Sequence, residues 1–414
     1  MSPRTSLLLA LALVSLPVPA AGDPLRLEDA VRAAIAANER SLKAPLRVEA
    51  AEGSLDRARA SFLPNLVLGA QASVLPKTGA TSALTLTQSI VNPSAFPLYQ
   101  QAKHNLYAEK WGAQQDLRLL GFDTAKAFFG TMATERVLEA AQRRLATAKS
   151  NLEYAEARAS AQLASTNDVT RAQVAIAAAQ TSVAQATGNV ERAYITLSFL
   201  VGRPVMPGLV SPDTMIKTAI AYEPTDLEIK AALDRRFDVK SAHERVIALH
   251  AFADEPLYRF APSLSATGAL RYDFDPIGAN KAFDQTLTFN LTWNLFDGGS
   301  RYGDRKSRLA QAKSAELDES LLRRAVEADV KTAFASLKAA RKSLSFAEDA
   351  VIAAQKNVDE TAILYKQGLA KAIELTDANL NRFDAEITRE SAKVIMEQAY
   401  LDLRLALGFG PLDG

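Results

Sequence analysis

Glu374 and Asp377 lie three residues apart in a helix-compatible stretch, which puts both carboxylates on one helix face. Such a pair attracts cations, and several copies around an aperture would form an acidic ring able to bind divalent ions. The same two residues also suit an exposed helix N-terminus, where acids face the positive end of the helix dipole. Other residues capable of chemistry are sparse. His243 and His250 are seven apart on an expected helix, with no cysteine or acidic set at metal spacing, and read as surface or seam residues. The five methionines do not cluster, so nothing supports thioether coordination of copper. Absence of cysteine removes disulfides, thiolate metal sites, a thiol nucleophile and an N-terminal lipid on Cys. No nucleophile–base pair and no glycine-rich phosphate loop is present, so the chain reads as a non-enzyme without cofactors.

The elements that position these residues follow from composition and punctuation. The chain has 414 residues, 48 Lys+Arg against 47 Asp+Glu, 48% apolar residues and only 7% aromatic ones. A net charge of +1 gives no support to nucleic-acid binding. The alanine-rich apolar fraction suits long helices. Residues 1–20 read as a secretory signal: Arg4 is followed by an apolar stretch over Ser6–Val18 and small residues at Val18-Pro19-Ala20. Beyond it no run is long and apolar enough for an inner-membrane helix.

Proline is absent between Pro97 and Pro204 and between Pro276 and Pro411, as very long helices require. Val169, Ile176, Val183, Val190 and Leu197 recur every seven residues, with Ala172, Ala179, Ala186 and Ala193 three places on. Val330, Leu337, Leu344, Val351, Val358 and Tyr365 form a second ladder, and Ala378, Ala385, Ala392, Ala399 and Ala406 a third. A sustained 3.5 period predicts coiled-coil packing.

The chain is internally duplicated. Phe62-Leu63-Pro64 is echoed by Phe260-Ala261-Pro262, and Gly202 by Gly408, both glycines expected as helix stops. The first repeat is expected over residues 21–202: a helix over Leu27–Ser61, a hairpin at 65–91, a long helix to about Gln162, a tip turn at 162–168 and a returning helix. Residues 203–224 form a linker or equatorial segment. The second repeat runs over 225–408, with its hairpin at 262–295 and its tip turn at 367–374, and residues 409–414 form a tail. Pro45 is expected to kink or delay the first helix. Asn92-Pro93 should open one long helix, and Asp297 or Ser300 the other. Each long helix would reach about 100 Å, twice the length of its neighbours.

Both hairpins alternate apolar and polar residues. The first pairs Asn65–Leu75 with Ala83–Val91 around a loop at Pro76–Thr81. In the second, Leu287, Phe289, Leu291, Trp293 and Leu295 alternate with Thr and Asn. Strands of about ten residues with one apolar face fit a transmembrane barrel, although a half-buried soluble hairpin shares the pattern. Four strands cannot close a barrel, and an open edge in lipid is intolerable, so several chains must contribute. Three would supply twelve strands; the sequence leaves other multiples open. A soluble periplasmic coiled-coil adaptor or scaffold is the alternative, but it has no need of two such hairpins.

Leu25-Arg26-Leu27-Glu28-Asp29-Ala30, Phe62-Leu63-Pro64, Leu295-Phe296-Asp297-Gly298-Gly299, Tyr365-Lys366-Gln367-Gly368-Leu369 and Leu405-Ala406-Leu407-Gly408 occur in an order that resembles the TolC family of outer-membrane efflux proteins. The resemblance covers nearly all of the chain after residue 20. It implies an α+β membrane protein whose protomer contributes four strands and long coiled-coil helices. Three copies would form a 12-stranded β-barrel in the outer membrane, continued by a periplasmic α-helical barrel. The implied role is a passive exit duct of a tripartite efflux pump or type I secretion system. Its partners would be a periplasmic adaptor (membrane fusion) protein, an inner-membrane transporter of RND, ABC or MFS type, and outer-membrane lipid.

Residue by residue, the resemblance places Glu374 and Asp377 at the periplasmic entrance. It assigns Asp168 and Tyr365 to a latch closing the tips, and Leu163, Gly368 and Leu369 to the tips that contact the adaptor. The family's second latch uses an arginine where this chain has Ala370; Lys371 is adjacent, as a point charge. Gln162 stands where the family usually has glycine. Tyr272, Trp293 and Phe296 are candidates for the aromatic belts at the membrane interfaces.

Overall fold

The computed structural model describes residues 24–73, 79–162, 165–210, 212, 218–219, 221–274 and 282–412. The expected signal at 1–20 lies outside the described residues. Helix α1 spans Leu27–Ala37 and α2 Glu39–Ala60, followed by strands β1 (Asn65–Ser73) and β2 (Gly79–Val91). Helix α3 (Ala95–Ser160) has 66 residues and α4 (Thr166–Val201) 36. The second half repeats this order: α5 (Asp226–Arg235), α6 (Phe237–Tyr258), β3 (Ser263–Asp273), β4 (Phe283–Thr292), α7 (Ser300–Lys366) and α8 (Ala372–Ala406). At 1.5 Å per residue, α3 and α7 are each about 100 Å long. Among the described residues no helix is long and apolar enough to cross a membrane.

The heptad ladders explain how these rods are held. Ala172, Ala179 and Ala186 of α4 are buried, as are Val330, Leu337, Leu344 and Val358 of α7. Ala378, Ala392, Ala399 and Ala406 of α8 are buried with them. Small side chains let the axes approach, so α3 pairs with α4 and α7 with α8 along their lengths. At mid-height Phe122, Phe128 and Phe129 of α3 pack with Leu27 and Val31 of α1, Leu197 and Val201 of α4 and Leu401 of α8. A backbone bridge of Leu25 to Leu209 lies near this level.

Two short helices stack where one was expected, and the break is at Asn38 rather than Pro45, which lies inside α2. Asn38 explains the position. Its Oδ1 accepts the Arg40 N–H at 2.9 Å, capping α2, while its Nδ2 donates to the carbonyls of Leu200 and Phe199 at 2.9 and 3.2 Å. One buried amide thus caps the start of α2 and the end of α4. Gly202, with φ +75, ends α4 against Ala37; a Cβ there would stand 3.2 Å from that side chain. Gly408, with φ +78, follows α8 and would meet Arg235 at 3.0 Å, so both glycines are required by backbone and by space.

The expected Asn92 cap is not used. Its Oδ1 accepts the Ser94 hydroxyl at 3.0 Å, and the Asn92 and Pro93 carbonyls receive the first N–H groups of α3. Asp297 does open α7: it accepts the Gly299 and Arg301 N–H groups, each at 3.1 Å, and the Arg301 guanidinium at 2.8 Å.

The four strands form one antiparallel sheet in the order β1-β2-β3-β4. Strand β2 begins at Gly79, four residues before the expected Ala83, and β4 ends at Thr292. Register divides the sheet cleanly. Leu66 opposes Leu86, Leu84 opposes Leu270, and Ala266 opposes Phe289 on one face; Thr85 opposes Ala269, and Thr267 opposes Thr288 on the other. The apolar face is open: Leu287, Phe289 and Leu291 are each more than 60% exposed. The outer edges of β1 and β4 have no strand partner among the described residues.

Candidate functional site

Two helical turns at one end of the rods carry the tip residues. At the end of α7, the Leu369 and Ala370 N–H groups both reach the Leu364 carbonyl, at 2.9 and 3.3 Å, around Gly368 at φ +79. In the first repeat Gln162 takes the matching left-handed conformation at φ +59, a side chain where the turn favours glycine. Leu369 is exposed beside Gly368. Leu163 lies outside the described residues.

Tyr365 is buried at this end. Its ring packs edge-on to Tyr154, centroids 5.6 Å apart, and it lines one cavity with Asp168, Arg144, Asn151, Leu375 and Asn379. Burial raises the phenol pKa; Arg158 opposes the shift and Asp168 adds to it. Tyr365 and Asp168 therefore meet across a cavity, and no hydrogen bond joins them. Lys371 is the N-cap residue of α8, with an exposed side chain that makes no capping bond.

The contact that sequence reasoning missed is Arg158, in the last turn of α3. Its Nη1 donates to the Tyr365 carbonyl at 2.8 Å, and its guanidinium lies 5.2 Å from the Tyr365 ring centroid. Nearby, the Tyr154 hydroxyl donates to the Lys366 carbonyl at 3.4 Å. Together they bind carbonyls at the end of α7, that of Tyr365 also accepting the Gly368 N–H at 3.1 Å, and tie the α3/α4 coil to the α7/α8 coil. A basic residue in a last helical turn is commonplace, so the sequence carried no distinguishing signal.

Glu374 and Asp377 are exposed on the first turns of α8. His243 and His250 of α6 face α7: His243 Nδ1 lies 3.1 Å from Glu319, and His250 Nε2 lies 2.5 Å from Glu316. Among the described residues no group of three or more His, Asp or Glu is arranged to hold a metal ion.

At the other end, the aromatic candidates fall on two levels. Tyr272 packs on Phe274, centroids 4.9 Å apart, and opposes Phe283 at the loop end of the sheet. Trp293 and Phe296 stand at the helix end, where the Trp293 indole donates to the Phe260 carbonyl at 2.9 Å. All three candidates are exposed, Phe296 at 84%. Tyr and Trp prefer such interfacial positions because their rings are apolar and their tips polar.

A sheet with one exposed apolar face, two open edges and a direct continuation into 100 Å-class helices (about that length by rise per residue) defines the protomer of an outer-membrane channel. Residues 30–203 and 229–409 match the Outer membrane efflux protein family, and the chain belongs to it. Its place is the bacterial outer membrane, extending into the periplasm. Protein CyaE of Bordetella pertussis is 26% identical over 337 residues, covering 78% of this chain and 71% of that protein. Among solved structures, the channel-forming CusC superimposes with a TM-score of 0.83 at 16% identity, over 93% of this chain and 92% of that one. The open-state MtrE outer membrane channel of Neisseria gonorrhoeae gives 0.79 at 21% identity, over 93% and 89%. The fold is that of this family's protomer, a four-stranded sheet continued by long paired helices.

Proposed function

We propose that three copies of this chain form a passive exit duct of a tripartite efflux pump or a type I secretion system, without enzymatic activity of its own. The open-edged sheet carries this reading. Its apolar face suits lipid, its hydroxyl-rich face suits a water-filled lumen, and its unpaired edges require neighbouring strands. Pairing β4 of one copy with β1 of the next removes every edge. Below the membrane, the duct narrows at the tips and meets a periplasmic adaptor around Leu163, Gly368 and Leu369, with an inner-membrane transporter beyond.

Glu374 and Asp377 supply six carboxylates around the entrance, which concentrate cations there. Tyr365 and Asp168 form the closing contact, tightening from their shared cavity into a phenol–carboxylate hydrogen bond, with Lys371 beside it as a point charge. Tyr272 on one side and Trp293 and Phe296 on the other anchor the barrel at the two membrane interfaces.

Fractionation with planar-bilayer recording tests the reading. The duct stays in detergent-extracted outer membrane, migrates as a trimer and conducts ions. A protein washed from membranes by salt and silent in the bilayer would instead be the periplasmic scaffold.

A further inference from the structure

Register places every charged residue of the four strands in one small zone. The strands contain only Arg271, Asp273 and Asp284 as charged residues. Arg271 stands directly opposite Asp284 across the β3–β4 pair, and Asp273 lies two residues on, on the same face. That face is the polar one. From this zone toward the helices it continues as Thr85, Thr87, Thr267, Thr286, Thr288 and Asn290, hydroxyls and an amide without charge.

The cross-strand row through Arg271 reads Gly69, Ala83, Arg271, Asp284. Two of its four positions are glycine or alanine, and a Cβ added at Gly69 would meet nothing within 4 Å. The guanidinium and the carboxylate are therefore the tallest groups in the row. The opposite, apolar face fixes their level independently. Tyr272, Phe274 and Phe283 cluster there at the same end of the strands, where interfacial aromatics belong. The charges thus sit at the membrane interface on the loop side, at the far end of the duct from Glu374 and Asp377.

We propose that Arg271, Asp273 and Asp284 form a mixed-charge girdle lining the outer mouth of the lumen and acting as a second ion-selectivity element, separate from the entrance. The inference rests on the channel reading above. Three copies place three guanidinium groups and six carboxylates in the girdle, and Arg271 opposes the carboxylates beside it. Asp284 is close enough to Arg271 across the strand pair to couple with it, since opposed Cβ atoms in such pairs lie roughly 5 Å apart. Removing Arg271 makes the girdle more cation-selective, and removing Asp284 makes it less so.

The effect is small enough to be screened and large enough to measure. Three unit charges roughly 10 Å from the pore axis, each damped by about one Debye length at 0.1 M salt, change the local ion concentration about twofold. At 1 M salt the Debye length falls to about 3 Å and the change disappears.

The test is reversal potential in planar bilayers under a KCl gradient, with full-length trimer and single-residue variants. Arg271→Gln should raise the potassium-to-chloride permeability ratio about fourfold near 0.1 M KCl, as the cation gains and the anion loses about twofold each, and leave it unchanged near 1 M. Asp284→Asn should lower it by a similar factor, which keeps the proposal open to refutation if Arg271→Gln does not assemble. Both variants retain Glu374 and Asp377, so the entrance contribution is constant. Wild-type channels whose selectivity is indifferent to both substitutions at low salt would overturn the girdle and leave the duct intact. Wild-type protein that forms no channel would overturn the duct itself and the girdle with it.

Discussion

The guanidinium of Arg158 donates to the backbone carbonyl of Tyr365 at 2.8 Å, joining the last turn of α3 to the last turn of α7. The Tyr365 carbonyl also accepts the Gly368 N–H at 3.1 Å, so Arg158 takes its second lone pair and displaces no backbone bond. It also holds the Tyr365 ring where Asp168 shares its cavity. A charged hydrogen bond of this kind contributes about 1.5–3 kcal/mol. Arg158→Ala should therefore raise the open fraction of the tip about tenfold or more, where closure is otherwise favoured. Single-channel recording reads this directly. Lys371→Ala should have the smaller effect, because its side chain is exposed; equal conductance of Arg158→Ala and wild type would remove Arg158 from the closing contact.

Tyr365 offers a second way into the same question. Asp168→Ala combined with Tyr365→Phe should increase conductance if the pair closes the tip. A plain coiled-coil seam residue would tolerate the loss of a hydroxyl, since the ring and its packing on Tyr154 remain. Unchanged conductance with unchanged melting would assign Tyr365 to the Val330 ladder alone.

Glu374 and Asp377 are exposed at the start of α8, so their substitution should leave folding intact. If the pair rings the entrance of the proposed trimer, removing its six carboxylates should weaken cation preference and abolish block by added divalent cations. Glu374→Ala with Asp377→Ala, measured by reversal potential and by titration with magnesium, decides it. Retained block would leave the pair as ordinary helix-dipole partners.

Much of the architecture was legible because it depends on period. Val330, Leu337 and Leu344 repeat every seven residues and are buried for that reason, and the alternation of Leu287, Phe289 and Leu291 gives the sheet its open face. What period does not encode was harder to see. Asn38 breaks the first helix because its amide reaches two carbonyls of α4, a relationship between residues about 160 apart in sequence. Pro45 carried the stronger local signal and yet lies inside α2. Asn92 lost its cap role to a neighbouring hydroxyl, and Arg158 gained its role only when two tips met. The aromatic candidates were readable from composition, whereas the sequence did not show that the strand charges all share one face and one level until register was known.

Turn chemistry gives a prediction about stability. Gln162 holds φ +59 at the tip turn, whereas Gly368 meets the equivalent requirement without a Cβ. Gln162→Gly should stabilise the first tip by about 0.5–1 kcal/mol, because the left-handed conformation costs L-residues roughly 1–2 kcal/mol and glycine recovers most of it against its own chain entropy. Gly202→Ala and Gly408→Ala should do the opposite, by about 1–2 kcal/mol or more, since each adds a Cβ close to Ala37 or Arg235 as well as strain. Thermal unfolding in detergent, followed by helical circular dichroism, gives both signs.

Glu397 of α8 gives the last prediction, on pH. The residue is 4% exposed, and its pKa is pushed up to about 7, first by burial and then by Glu390, with Lys393 pulling the other way. An acid whose folded pKa lies above its unfolded value makes folding less favourable wherever the unfolded chain ionises more readily. Below about pH 4.5 both states are protonated and the residue costs nothing. Between about 4.5 and 7 the cost grows, and above 7 it is fully present, at most about 3 kcal/mol per chain. Glu397→Gln keeps the size and removes the charge. It should raise stability at pH 8, have little effect at pH 4.5, and flatten the stability profile between them. A variant that melts with the wild type at every pH would mean that the carboxylate is solvated in the assembled protein, and that burial within α8 does not govern its ionisation.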